Sequence, residues 1–302
     1  MNEIEGVLPV VPTPFVKGAF DPQSFQAMLD HMIDEVDGYT LLGSTGEAPS
    51  MTVHERMQIA EQAIDMTPPD KKVIVGITTT VVADAVELAT HAQSAGAAGL
   101  LCAAPYYFTN SANGVLSYLQ EIDAAIDLDI IFYDNPAATK TKVSAEDVIH
   151  WAEQLRNLRT VKLTDHDTRK IGLWQDAGLS VIGGDDPILY EYLAAGVDGV
   201  MVIAPLVFPK AFRGVWREIQ GGDELRALEI LAREILPFIH VFGIGREIAT
   251  TKALLADIGV FSSGELRPPL QPVSAARCAA LRRAYDLGVS ETERRCVEEG
   301  SG

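Results

Sequence analysis

The stretch Leu158–Asp165, with the sequence Leu-Arg-Thr-Val-Lys-Leu-Thr-Asp, decides how the rest of the chain is interpreted. Its β-branched and apolar residues predict a short strand with Lys162 in its middle. In a chain that alternates strands with helices, such a strand belongs to a parallel sheet that is buried on both faces. Burial favours the neutral amine of a lysine, which is the form that attacks a carbonyl carbon to make a Schiff base. The alternative is a structural lysine that reaches water or pairs with Asp165 or Asp167, and this strand alone leaves both interpretations open.

The composition limits the class of protein. A chain of 302 residues, 47% of them hydrophobic, can form two domains or one large barrel. The net charge of −18 argues against nucleic acid or an anionic membrane as the main partner. The three cysteines, Cys102, Cys278 and Cys296, lack metal-ligand spacing and predict reduced thiols. Since no secretory leader opens the chain and no apolar run could span a bilayer, we expect a cytoplasmic protein. The acidic composition is compatible with a small anionic substrate, because a few local cations can dominate one pocket.

The apolar segments alternate with helical segments along the first two thirds of the chain. Strands are predicted at 6–15, 39–42, 72–78, 99–105, 129–135, 158–165, 179–184 and 199–204. Eight such alternations are typical of a closed (β/α)8 TIM barrel, an α/β fold. The alternative is an open doubly wound sheet, but no Gly-x-Gly-x-x-Gly turn follows the first strand. We therefore predict a barrel over residues 1–208, and the last barrel helix with a C-terminal helical extension over 209–302.

Capping residues and prolines predict where several helices begin and end. Asp21 precedes Pro22 at one start, Thr52 with Glu55 marks a second, and Ser144 with Asp147 marks a third. The C-terminal extension is predicted as helices at 210–219, 223–239, 245–257 and 274–287. The polar sequence after residue 287 predicts a frayed tail.

Polar motifs follow several predicted strands, at the end of the barrel where such enzymes keep their chemistry. These motifs are Gly-Ser-Thr-Gly-Glu at 43–47, Pro-Tyr-Tyr at 105–107, Tyr-Asp-Asn-Pro at 133–136 and Gly-Asp-Asp at 184–186. The first suits a carboxylate, because a Gly-rich turn directs N–H groups and hydroxyls at one small volume. A hydrogen-bonded tyrosine can relay protons. Taken singly, each motif is explained by an ordinary turn or by a packed tyrosine.

In this order and spacing, the motifs and the lysine strand resemble the dihydrodipicolinate synthase / N-acetylneuraminate lyase family of class I Schiff-base aldolases and lyases. The resemblance runs from Pro-Thr-Pro-Phe at 12–15 to Arg-Pro-Pro-Leu at 267–270. It implies that Lys162 attacks the keto carbon of a 2-oxo acid such as pyruvate, and that Tyr133 shuttles protons. It also implies no metal and no other cofactor, and we find no His, Cys or Asp set with ligand spacing.

The same resemblance assigns further roles. Ser44, Thr45 and the backbone at Gly46 would hold the substrate carboxylate. Thr45 would also link Tyr133 to Tyr107, which family members often receive from the neighbouring subunit, so we expect a homodimer or homotetramer. The backbone around Met201 would line the pocket near the imine.

Three positions depart from the best-known members, and Lys140 lies two residues after the first of them. Dihydrodipicolinate synthases carry an arginine at the position of Ala138, where its fork would bind the carboxylate of the aldehyde partner. Lys140 could supply a cation to an acidic substrate, or it could be a solvated loop charge. His166 replaces a small-residue turn and is either a loop residue or a pocket residue near the second substrate. Asp134 stands where asparagine is common and could contact substrate or cap a turn.

Three functions follow from these observations. The first is a Schiff-base lyase acting on a 2-oxo acid, either a pyruvate-type aldolase or a dehydratase or deaminase of a hydroxylated 2-oxo acid. The second is a 4-hydroxy-tetrahydrodipicolinate synthase with a non-standard carboxylate anchor, which Ala138 disfavours. The third is a non-catalytic protein that binds 2-oxo acids, which the joint presence of Lys162, Tyr133 and Thr45 disfavours.

Overall fold

Eight parallel strands form a barrel in the computed structural model, which describes residues 4–243 and 246–300. The strands are β1 Gly6–Val7, β2 Gly38–Leu41, β3 Lys72–Gly76, β4 Gly99–Ala103, β5 Ile130–Asp134, β6 Leu158–Leu163, β7 Ser180–Gly183 and β8 Gly199–Val200. From β2 to β8 each strand pairs with the next, and β8 pairs with β1. A parallel bridge from Val10 to Thr40 joins the first segment to β2 and closes the barrel. The predicted TIM barrel is confirmed.

Helices surround the strands and make up most of the chain after β8. They are α1 Pro22–Met32, α2 Val53–Asp65, α3 Val82–Ala95, α4 Ala112–Asp123, α5 Pro136–Thr139, α6 Ala145–Ala152, α7 Arg169–Asp176, α8 Leu189–Ala194, α9 Ala204–Val207, α10 Pro209–Gly221, α11 Glu224–Ile230, the π-helix Leu231–Ile235, α12 Leu236–Phe242, α13 Glu247–Asp257 and α14 Ala275–Gly300. Short 3-10 helices occupy Ile33–Glu35, Ala48–Ser50 and Asp186–Ile188. Within the described chain, no helix is both long enough and apolar enough to cross a membrane.

The predicted helix starts are confirmed where side-chain caps were expected. Asp21 accepts hydrogen bonds from the N–H groups of Gln23 and Ser24 at the start of α1. Thr52 forms a capping box with Glu55 at the start of α2, and α6 begins with the predicted Ser144 cap. These signals are local, so the sequence places them well.

Two predicted strands are shorter in the structure. The first strand ends at Val7, and residues 8–14 continue as buried irregular chain because three prolines there have no N–H for a ladder. A hairpin of Phe15–Val16 with Ala19–Phe20 follows, which was not predicted. The eighth strand ends at Val200, since the N–H groups of Ile203 and Ala204 bind a side chain instead of a neighbouring strand.

The prediction of a frayed tail after residue 287 is wrong, because α14 continues to Gly300. A buried carboxylate explains the longer helix. Glu234 accepts hydrogen bonds from Arg295 Nε at 2.7 Å and from Thr292 Oγ1 at 2.7 Å. Thr292 and Arg295, two polar residues of the tail, therefore bind the Glu234 carboxylate and hold α14 against the π-helix.

Candidate active site

Lys162 lies on β6 inside the barrel, and its side chain is only 3% exposed. It is the register partner of Tyr133 on β5 and of Ile182 on β7. Its Nζ lies 4.3 Å from the centroid of the Tyr133 ring. Alternate residues of a strand face opposite sides, so this pairing directs the side chains of Lys162 and Tyr133 into the barrel.

The acidic residues that follow β6 do not neutralise Lys162. Asp165 accepts a hydrogen bond from Lys170 at 2.9 Å, and Asp167 accepts from Arg169 at 2.7 Å. Asp165 and Asp167, which a purely structural lysine would pair with, are thus bound to other cations. Lys162 is left as a buried amine beside a phenol, with neither aspartate as its hydrogen-bond partner.

The end of β7 packs directly against Lys162. A methyl group added at Gly184 would lie 2.7 Å from Lys162 Cε and 2.6 Å from Thr164 Oγ1. Because glycine has no Cβ, Gly184 leaves enough space for the Lys162 side chain.

Tyr133 is 9% exposed, and its hydroxyl oxygen accepts a hydrogen bond from Asn135 Nδ2 at 3.0 Å. The other end of the same amide accepts from the N–H of Ala138 at 3.1 Å, which fixes the orientation of Asn135. The Tyr133 hydroxyl consequently keeps its own proton free to donate toward Lys162 or a bound molecule. Asn135 was not among the predicted site residues. Its position inside the Tyr133–Pro136 motif is the feature of the sequence that could have identified it.

Ser44, Thr45 and Gly46 form the turn after β2, with Ser44 exposed, Thr45 half-buried and Gly46 buried. The carbonyl of Gly46 accepts a hydrogen bond from Thr13 Oγ1 at 2.7 Å. A Cβ at Gly46 would lie 2.7 Å from the nitrogen of Leu42, so the tight turn requires glycine there. No hydrogen bond joins Thr45 to Tyr133 among the described residues, where the Tyr133 hydroxyl accepts from Asn135. The link from Thr45 to Tyr133 therefore stays a prediction.

A buried ion pair holds this turn from below. Glu47, in the left-handed region at φ 58°, accepts a hydrogen bond from Lys252 Nζ at 2.5 Å. Its second oxygen accepts from the backbone N–H of Arg267 at 2.9 Å. Lys252 Nζ and Arg267 Cζ each lie 4.4 Å from the ring centroid of Phe15. Burial lowers the pKa of Lys252, although Glu47 opposes that shift.

A cavity of about 210 Å³ opens beside Tyr133 and the turn after β2. Most of its lining is apolar, and the lining residues are Leu42, Gly43, Ser44, Ala48, Pro49, Thr78, Leu101, Ala103, Tyr106, Tyr133, Asn135, Ala138 and Thr139. The structure thus brings Ser44 and Tyr133 to the edge of one cavity.

Ser44 and Tyr133 belong to the lining of this cavity, whereas six other predicted site residues do not: Lys162, Thr45, Gly46, Tyr107, Lys140 and Met201. Tyr107 is 74% exposed, has a φ of 86°, and leaves its neighbour Tyr106 to line the cavity. Lys140 is exposed at the end of α5, also with a positive φ of 57°. Met201 is fully buried after β8, with its N–H bonded to the carbonyl of Gly183.

A buried carboxylate organises the chain after β8. Asp186 accepts hydrogen bonds from the N–H of Ile203 at 2.9 Å and from the N–H of Ala204 at 2.8 Å. Burial raises the pKa of Asp186 to about 6, while those hydrogen bonds and Lys162 oppose the shift. This role was not predicted, although the Gly-Asp-Asp motif had marked the position.

Two clusters of ionisable side chains lie near the end of β6. Lys170 donates to Asp134 at 2.7 Å and to Asp165 at 2.9 Å, so Asp134 binds a lysine and caps no turn. Burial raises the pKa of Asp134. Burial also acts to raise the pKa of Asp165, but the hydrogen bond and charge of Lys170, together with the charge of Lys142, lower it. Nearby, His166 Nε2 lies 2.7 Å from Asp185 Oδ2, with the imidazole largely exposed.

No group of three His, Cys, Asp or Glu side chains in residues 4–243 and 246–300 is arranged to hold a metal ion. The three cysteines of that part of the chain are unpaired, and Cys102 is buried.

A model of the dihydrodipicolinate synthetase family matches residues 3–286. The 4-hydroxy-tetrahydrodipicolinate synthase of Thermosipho africanus is 30% identical over 276 residues, which cover 89% of this chain and 94% of that protein. A solved structure described as the first monomeric dihydrodipicolinate synthase variant is 27% identical, with a TM-score of 0.89 over 94% of this chain and 96% of that one. A prophage protein of E. coli K12 from the dihydrodipicolinic acid synthase family, solved in complex with pyruvate, is 25% identical, with a TM-score of 0.87 over 94% and 99% of the two chains.

Proposed function

This chain belongs to the dihydrodipicolinate synthetase family of lyases, and we propose that it forms a Schiff base with a 2-oxo acid through Lys162. The observation that carries the proposal is the buried position of the Lys162 amine beside Tyr133. Its amine is buried, has neither neighbouring aspartate as a partner, and lies 4.3 Å from the Tyr133 ring centroid. The prophage relative solved with pyruvate makes a small 2-oxo acid the natural first ligand to test.

The reaction begins when the Lys162 amine adds to the keto carbon of the 2-oxo acid. Loss of water from the carbinolamine gives a protonated imine. We assign to the Tyr133 hydroxyl the donation and recovery of the protons in these steps, since the ring lies beside Lys162 and the hydroxyl proton is free to donate. The protonated imine is an electron sink, so a bond one carbon away breaks and its electron pair enters an enamine. Protonation of the enamine and hydrolysis by water then release the product and return the free amine.

The substrate carboxylate is assigned to the turn after β2. Ser44 and Thr45 offer hydroxyls and N–H groups there, and Ser44 lies at the edge of the cavity. The ion pair of Glu47 with Lys252 keeps the turn in place, so the anion would meet preorganised donors.

A 4-hydroxy-tetrahydrodipicolinate synthase is the second candidate, because the relatives carry that name. It would need a cation for the carboxylate of aspartate semialdehyde. Ala138 lies where the family resemblance places an arginine, and Lys140 is exposed outside the cavity. Condensation of pyruvate with aspartate semialdehyde at a useful rate would support this candidate, and an undetectable rate would exclude it.

The experiment that tests the Schiff base is reductive trapping. The protein is incubated with pyruvate, treated with borohydride, and analysed by intact mass and peptide mapping. We expect one adduct on Lys162, none in the Lys162→Ala variant, and none on the buried lysines Lys170 and Lys252, whose amines are held by carboxylates. An adduct on another lysine, or none with pyruvate or any longer 2-oxo acid, would contradict the proposal and favour a binding protein.

A homodimer or homotetramer and a cytoplasmic location are parts of the same proposal. The exposed side chains of Tyr107 and Phe108, 74% and 73% accessible, support a subunit contact near the cavity. The described monomeric variant among the solved structures shows why the mass in solution must be measured for this chain.

A further inference from the structure

Most of the cavity wall beside Tyr133 is apolar, and several of its polar side chains already form hydrogen bonds within the protein. Thr139 Oγ1 donates to the carbonyl of Asn135 at 2.9 Å, and Thr78 Oγ1 accepts from the N–H of Ala103 at 2.9 Å. The Asn135 amide is likewise held at both ends. What remains for a ligand is a wall that consists mostly of aliphatic and aromatic carbon, with the Tyr133 hydroxyl as a donor and Ser44 at one edge.

No cation lines this cavity among the residues that the structure describes. Arg56 comes from a neighbouring helix, but its two terminal nitrogens donate to the carbonyls of Gly76 at 2.8 Å and Thr78 at 3.1 Å. Lys140 is exposed and is not part of the lining. A carboxylate inside this cavity would therefore lose its water without gaining a charged partner, which strongly disfavours binding.

The volume sets the size of group that fits. An apolar cavity of about 150 Å³ in a protein interior accepts benzene. The cavity here is about 210 Å³, so a branched alkyl group or a six-membered ring has room beside Tyr133.

We infer that the carbonyl partner of this lyase is an aldehyde with an uncharged apolar group of up to ring size. The inference rests on the proposed Schiff-base function and names the class of its second substrate. The apolar group would occupy the cavity lined by Leu101, Ala103, Tyr106 and Ala138, while the 2-oxo acid is held at Lys162.

The step balances without any further reactant. The pyruvate imine on Lys162 loses a C3 proton to give the enamine, and C3 forms a bond to the aldehyde carbon. The enamine C=C electron pair forms that new bond, and the Lys162 nitrogen lone pair re-forms the protonated imine. The aldehyde oxygen takes up a proton to become a hydroxyl. Water then hydrolyses the imine and releases a 4-hydroxy-2-oxo acid with an apolar substituent; the cleavage direction is the reverse.

Two aldehydes of matched shape provide the test. 4-Methylpentanal and succinic semialdehyde share their chain and differ by an isopropyl group in place of a carboxylate. The wild-type enzyme is given pyruvate with each, and the 4-hydroxy-2-oxo acid is measured by mass spectrometry. We expect kcat/KM for 4-methylpentanal to exceed that for succinic semialdehyde by at least about 100-fold, and benzaldehyde also to be accepted.

Two variants at Ala138 separate charge from size. Ala138→Arg places a cation at the cavity and should lower the preference at least about tenfold by admitting succinic semialdehyde. Ala138→Leu fills similar space without charge. It should lose activity with benzaldehyde and should not gain activity with succinic semialdehyde. Both variants change an exposed position of the short helix α5, so the fold should survive them.

The inference and the proposed function fail in different ways. Exchange of the pyruvate methyl protons for deuterium, followed by NMR, reports the imine and enamine without an aldehyde. If exchange occurs but succinic semialdehyde reacts as well as 4-methylpentanal, or no aldehyde reacts, the inference is overturned and the Schiff-base function stands. If neither exchange nor a trapped adduct occurs, the proposed function itself is wrong.

Discussion

Glu47 and Lys252 are 205 residues apart in sequence, yet their side chains form an ion pair with both groups completely buried. Glu47 closes the Gly-Ser-Thr-Gly-Glu turn, and Lys252 belongs to α13 of the C-terminal extension. The extension is therefore part of the support for the candidate carboxylate site. It fixes the turn from outside the barrel that carries Lys162.

Removing Lys252 should destabilise the protein strongly. In Lys252→Met the Glu47 carboxylate stays buried with only the Arg267 N–H as a donor, so we expect a loss of about 3–5 kcal/mol in the free energy of unfolding. Urea denaturation measures the loss, and the double variant Lys252→Met/Glu47→Gln should recover much of it. Arg294→Met removes an exposed ion pair with Glu291 and should hardly move the midpoint. A loss below about 1 kcal/mol for Lys252→Met would show that the pair is not required.

Gly184→Ala should reduce activity by displacing the nucleophile. The new methyl group would lie 2.7 Å from Lys162 Cε and 2.8 Å from the carbonyl oxygen of Leu163, and the lysine side chain is the more movable of the two. A displacement of about 1 Å costs on the order of 100-fold in kcat, and trapping by borohydride should slow in parallel.

Gly172→Ala is the matched control for that substitution. Gly172 lies within α7, and a methyl group there meets nothing within 4 Å. It should leave kcat unchanged and raise the free energy of unfolding by about 0.5–1 kcal/mol. Equal losses of activity in the two variants would mean that the contact with Lys162 is unimportant.

Tyr133→Phe should affect proton transfer and leave the fold intact. The change removes one hydroxyl that accepts from Asn135, and kcat should fall by about 10²–10⁴-fold. Tyr118→Phe serves as the control, since that buried hydroxyl donates to the carbonyl of Thr79 away from Lys162. It should cost about 1 kcal/mol of stability and no activity. A Tyr133→Phe enzyme with wild-type kcat would exclude the tyrosine from the chemistry.

The carboxyl of Asp186 should make stability depend on pH. Burial raises its pKa from 3.8 to about 6, so the folded state favours the protonated form. The resulting stabilisation is complete below pH 3.8 and is lost as the pH rises through about 6. Relative to the wild type, Asp186→Asn should therefore gain about 2–4 kcal/mol between pH 4 and pH 7.

Urea denaturation across that pH range measures the difference between the two curves. Asp176→Asn, at the exposed end of α7, should give a curve parallel to the wild type. A constant difference between Asp186→Asn and the wild type from pH 4 to pH 7 would contradict a raised pKa.

The sequence by itself determined the barrel, because its signals are local. Alternating apolar segments and side-chain caps such as Thr52 with Glu55 act over a few residues, and they placed most strands and helices. The sequence also singled out Lys162 and Tyr133, and their register pairing follows once their strands are neighbours.

The tertiary structure decided which distant polar groups meet. Nothing in the local pattern distinguishes a carboxylate that is buried against a partner from one in water, so Glu47 with Lys252 and Asp186 with Ile203 were not predicted. The end of α14 was misjudged for the same reason, since Arg295 looks like a tail residue until Glu234 lies beside it. The apolar cavity could not be predicted either, because its wall comes from the ends of four strands that meet only in the folded chain. The absence of a cation from its lining, among the described residues, is likewise visible only in the structure. Pairings over long sequence separations depend on packing, which a one-dimensional pattern does not contain.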